Sequence, residues 1–68
     1  MPVITLEAAT LDREQKQRLV EEFTESAARI MHLPRESFHV FLRENSADNV
    51  GVGGILLSDR KRAGSPHA

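Results

Sequence analysis

The chain has 68 residues, no cysteine and a formal net charge of -1; disulfide frameworks and thiolate metal sites are excluded, and no basic stripe offers itself to nucleic acid. Its only aromatics are three phenylalanines, too few for a base-stacking platform, and His32, His39 and His67 lack the spacing of a zinc site. A single domain this small buries little surface, so self-association is the expected source of stability once cross-links and metals are set aside.

The first element follows at once on Met1-Pro2. A small second residue normally leads to loss of the initiator methionine, which would leave Pro2 with a free secondary amine. An α-amino group has a reference pKa of about 8 and is the backbone group most easily tuned into a base near neutral pH. Residues 3–7 are β-branched and nearly alternating, predicting a strand with Ile4 and Leu6 on one face and Val3, Thr5 and Glu7 on the other. Asp12 followed by Gln15 has the form of a capping box, and a helix is predicted from Arg13 to His32. Leu19, Phe23, Ala27, Ile30 and Met31, flanked by Val20 and Ala28, form its apolar stripe. Leu33-Pro34 stops it.

A second strand is predicted over Ser37–Arg43, with Phe38, Val40 and Leu42 on one face and His39, Phe41 and Arg43 on the other. Glu44–Asn49 is read as polar loop. Gly51-Val52-Gly53-Gly54 marks a hairpin or bulge; it lacks phosphate-loop spacing, and no lysine follows its last glycine. Ile55-Leu56-Leu57 is a short apolar arm, and from Ser58 the chain is read as a frayed tail, basic and then rich in Gly, Ser and Pro. No stretch has the length of a membrane span and no signal-peptide pattern is present, so a cytoplasmic protein is expected. The elements give an α/β subunit: two parallel strands joined by a helical crossover, then a short C-terminal hairpin. Edge-to-edge dimerisation into a four-stranded sheet would cover the open edge.

Pro2, the Glu14-Gln15-Lys16 helix opening, Pro34 and Gly51-Val52-Gly53-Gly54, in this order, resemble the 4-oxalocrotonate tautomerase family over about residues 2–62. The resemblance implies a single β-α-β tautomerase domain over 2–62 with a flexible tail at 63–68, assembled as a homohexamer, a trimer of dimers. It also implies a cofactor-independent isomerase whose N-terminal proline is the general base. Such an enzyme moves a proton between carbons of a small enol or keto acid, with no metal or organic cofactor.

The chain departs from the family at the substrate. Aligned on Glu14-Gln15-Lys16, Leu11 stands where the best-known members carry a carboxylate-binding arginine. His39 replaces a second arginine, and Val50 replaces an aromatic residue before the hairpin. Replacements are sought in Arg43, on the same strand face as His39, since a guanidinium suits a carboxylate, and in His39 itself as a hydrogen-bond donor to a carbonyl. An ordinary salt bridge for Arg43 and an interface role for His39 are the competing readings. Arg13, Arg60, Arg62 and Asn45 are weaker candidates, and Glu7 reads as a surface or interface acid. Hydration or dehalogenation would need an acid to activate water, sought near Val52, where the chain is apolar. Two alternatives to the tautomerase remain: other chemistry on the proline amine, of hydratase or Schiff-base type, and an inactive subunit of a hetero-oligomer.

Overall fold

In the computed structural model, which describes residues 1–62, strand β1 (Val3–Ala8) is followed by helix α1 (Arg13–Met31), strand β2 (His39–Glu44), the short strands β3 (Gly51–Val52) and β4 (Ile55–Leu56), and helix α2 (Leu57–Arg62). The expected tail at 63–68 lies outside the described residues. β1 and β2 pair in parallel, with Val3 opposite His39 and Ala8 opposite Glu44; β3 and β4 pair antiparallel.

The capping box starts α1 as the sequence predicts. The Asp12 carboxylate accepts the Gln15 N–H at 2.8 Å, and the Gln15 side chain accepts the Asp12 N–H at 3.1 Å. At the far end His32 adopts the left-handed conformation, φ 59°, and donates its N–H to the Ala28 carbonyl, closing α1 one residue before the predicted end. Leu33 N–H bonds the same carbonyl at 3.2 Å.

The second strand is displaced from its predicted span, and the hydrogen bonds show why. Ser37 N–H donates to the Pro34 carbonyl and Phe38 N–H to that of Arg35, closing a 3₁₀ turn over Arg35–Ser37 and withdrawing both donors from the sheet. At the other end Asn45 N–H reaches the Ala8 carbonyl at 2.8 Å, so the ladder runs through Glu44. The segment read as polar loop contains a second 3₁₀ turn at Ala47–Asn49.

The glycine cluster is a hairpin. Gly53 (φ 63°) and Gly54 (φ 85°) occupy its two loop positions, the double positive φ of a tight turn whose twist matches the strands. The frayed tail expected from Ser58 is instead helical to Arg62. Its first residue, Leu57, donates its N–H to the Val50 carbonyl at 2.8 Å, which gives this turn a fixed start.

Ile4, Leu6, Val40 and Leu42 lie on the sheet face beneath α1 and are half-buried. Of the predicted helix stripe, Leu19, Phe23 and Ala27 are likewise half-buried, while Ile30 is 70% exposed and Met31 also lies open. A helix of this length spans about 28 Å and the six-residue strands about 20 Å, so the last helical turn overhangs the sheet. No apolar residue among those described is fully buried; the most enclosed is Thr24 at 9%. The opposite sheet face, with Val3, Thr5, Glu7, His39, Phe41 and Arg43, is exposed throughout. The radius of gyration is 15.8 Å, against about 11 Å for a compact chain of this length. Among the described residues no helix is long and apolar enough to cross a membrane.

Candidate active site

Parallel pairing brings the N-terminal ends of β1 and β2 together, and with them two of the candidate residues, Pro2 and His39. The His39 N–H donates to the Pro2 carbonyl at 3.1 Å. Pro2 is half-buried at the rim of a depression of about 390 Å³ lined by Met1, Leu33, Glu36, Ser37 and His39. Met1 is 84% exposed and forms no part of the sheet, so its removal would free the Pro2 nitrogen without disturbing the strand.

Glu36 and Ser37, which the sequence reading did not single out, line the same depression as Pro2. The 3₁₀ turn holds them at the depression, because it immediately precedes the strand that starts beside Pro2. The available signal was topological: in a parallel pair, whatever follows Pro34 must approach the start of β1.

The same topology sends the remaining candidates to the other end. Arg43 lies four residues beyond His39 on the same face, about 13 Å away along the strand. Its cross-strand neighbour is Glu7, yet the Glu7 carboxylate accepts from the Asn45 amide at 3.1 Å. Arg43 makes no ion pair among the described residues, which removes the strand-end salt bridge as its explanation within one subunit.

Leu11 donates its backbone N–H to the Glu44 carboxylate at 2.8 Å, and Lys16 bonds the other Glu44 oxygen at 3.1 Å. These two bonds to the charged form hold the Glu44 carboxyl below its ordinary value of 4.5. The Leu11 side chain lies in a shallow groove with Gln15, Arg18, Leu19 and Glu22. Val50 borders a depression of about 770 Å³ beside Glu7, Thr10, Asn45 and Ser46. Arg13 lines a groove with Lys16, Val20 and Arg35, and Arg60 is half-buried in α2. One subunit therefore brings Pro2 and His39 together and leaves Arg43, Leu11 and Val50 apart from them. Val52, where a water-activating acid was sought, pairs with Ile55 in the hairpin; the acid beside Pro2 is Glu36. Among the described residues no group of three or more His, Cys, Asp or Glu could hold a metal ion.

A family profile described as "Tautomerase enzyme" matches residues 2–60. The chain belongs to the tautomerase family. A probable tautomerase of Listeria monocytogenes is 44% identical over 62 residues, covering 87% of this chain and 98% of the relative. The crystal structure of DmpI from Archaeoglobus fulgidus superimposes with a TM-score of 0.78 at 38% identity, covering 85% of this chain and all (100%) of that one. A crystallised 4-oxalocrotonate tautomerase homologue gives 0.80 at 35% identity, with 87% and 95% covered. The resemblance read from Pro2, the helix opening and the glycine hairpin is thus borne out, as is the α/β fold. This tautomerase is an isomerase of the 4-oxalocrotonate tautomerase type.

Proposed function

We propose that this tautomerase uses the Pro2 amine, freed by removal of Met1, as the general base for proton transfer between carbons of a small enol or keto acid. The observation that carries the reading is the Pro2–His39 pairing at the rim of a depression. The Pro2 nitrogen takes a proton from the substrate, from carbon of a keto acid or from the hydroxyl of an enol, leaving an enolate (a dienolate where a further double bond is conjugated). The resulting ammonium returns the proton to a carbon atom, so no net charge is gained or lost. The His39 side chain, opposite Val3 in register, would donate a hydrogen bond to the enolate oxygen as its charge develops.

A carboxylate on the substrate needs a cation, and a neighbouring subunit is the proposed source of Arg43. The exposed sheet face and the overhanging apolar residues Ile30 and Met31 support assembly beyond a dimer, with a homohexamer as the proposed state. The deciding experiment pairs intact mass with a ketonisation assay on a phenylpyruvate-like or 2-hydroxymuconate-like enol. A chain lacking Met1 that ketonises the enol, and loses this ability in Pro2→Ala, is the expected result. Full activity in a chain that retains Met1 would overturn the proposal, because an imide nitrogen has no basic lone pair.

A further inference from the structure

Besides Pro2 and His39, the depression at the start of the sheet contains one more ionisable side chain, Glu36. Its position follows from the backbone. Pro34 and Arg35 carbonyls accept the Ser37 and Phe38 N–H groups at 3.0 and 3.1 Å, fixing the turn, and the His39–Pro2 bond fixes the turn against β1. Glu36 takes part in no ion pair among the described residues. The next cation along the turn, Arg35, faces a different groove, with Arg13, Lys16, Val20 and Thr24 of α1. Within one subunit the exposed Glu36 therefore places a negative charge at the rim that no ion pair among the described residues offsets.

We infer that Glu36 sets the charge class of the substrate, and that the Pro2 site takes an enol or keto acid with a single carboxylate in preference to a dicarboxylate. The inference rests on Pro2 being the base. One carboxylate can be directed away from Glu36 while the reacting carbon approaches Pro2. A second would bring another negative charge toward the acid, and like charges brought together at a site disfavour the wrong ligand. Apolar Leu33, on the remaining wall, suits a hydrocarbon or aryl end better than a second carboxylate.

The test compares kcat/KM for a phenylpyruvate-like monoanion with that for a 2-hydroxymuconate-like dianion, together with calorimetric binding of the corresponding saturated mono- and diacids. The full-length chain after methionine removal is used, as parent, Glu36→Gln and Glu36→Asp. The parent should favour the monoanion. Glu36→Gln should raise the dianion-to-monoanion ratio about tenfold, the scale of one unit-charge repulsion at a partly solvated site. Glu36→Asp should keep the parent ratio. An unmoved ratio in Glu36→Gln, or an equal change in Glu36→Asp, would overturn the inference. With Pro2→Ala reduced by about a hundredfold or more, that failure touches Glu36 alone; a fully active Pro2→Ala would overturn the base and this inference together.

Discussion

The backbone N–H of His39 bonds the Pro2 carbonyl across the parallel sheet, so the first residue of β2 and the proposed base are held in one frame. A chain end that would otherwise fray is anchored, and the imidazole is carried on a strand whose register leaves it on the open face opposite Val3. Changes at Pro2 and at His39 should therefore alter chemistry more than folding.

Pro2→Ala replaces a secondary amine with a primary one and keeps the carbonyl that accepts the His39 N–H. We expect activity to fall by about a hundredfold or more, the upper part of what positioned acid–base groups contribute, with an unchanged circular dichroism spectrum. Parent-like turnover would place the base elsewhere.

His39→Ala and Arg43→Ala should separate the two roles. Loss of a donor to the developing oxyanion lowers kcat by about a hundredfold. Loss of a charge-assisted bond to a carboxylate, about 1.5–3 kcal/mol, raises KM roughly ten- to a hundredfold. Steady-state kinetics on one enol acid reads both. If both variants bind and turn over substrate like the parent, the anion site must come from Arg13, the Arg60-Lys61-Arg62 segment or a different chain.

Light scattering at micromolar concentration should report about six subunits, closed by point symmetry. The physical motive is the absence of a fully buried apolar residue among those described, with Phe41 50% exposed on an uncovered sheet face. Burying one such phenylalanine contributes about 1.5–3 kcal/mol, and six copies of each face repeat that gain. A monodisperse folded monomer would contradict the proposed assembly.

Glu44 predicts an acid limb of stability. Its carboxyl titrates below 4.5 in the folded chain because Leu11 N–H and the Lys16 ammonium bond the charged form. The stabilisation is thus fully present above the unfolded value and is lost as pH falls through the lowered folded value. Glu44→Gln should melt below the parent near neutral pH, and the two melting temperatures should converge as pH drops below about 4. A constant gap across that range would show that Glu44 acts through packing rather than charge.

Much of this protein was written in local sequence. Asp12 and Gln15 specify a helix start by satisfying donors within one turn; Gly53 and Gly54 specify a tight hairpin because both loop positions require positive φ; and strand alternation separated Ile4, Leu6, Val40 and Leu42 from His39, Phe41 and Arg43. Each depends on groups a few residues apart, so the chain's own periodicity suffices. Strand limits were less legible. β2 begins at His39 because the turn after Pro34 captures Ser37 and Phe38 N–H groups, and it continues to Glu44 because Ala8 is there to accept from Asn45. The segment from Ser58 read as tail because nothing local shows that Leu57 will bond Val50. The site divided along the same line. Pro2 is recognisable from its place in the chain, whereas the meeting of Pro2 with Glu36, 34 positions away by number, and its separation from Arg43 follow from parallel pairing. That pairing places all strand beginnings at one end of the sheet and all strand ends at the other, a relation between distant segments that only the tertiary structure decides.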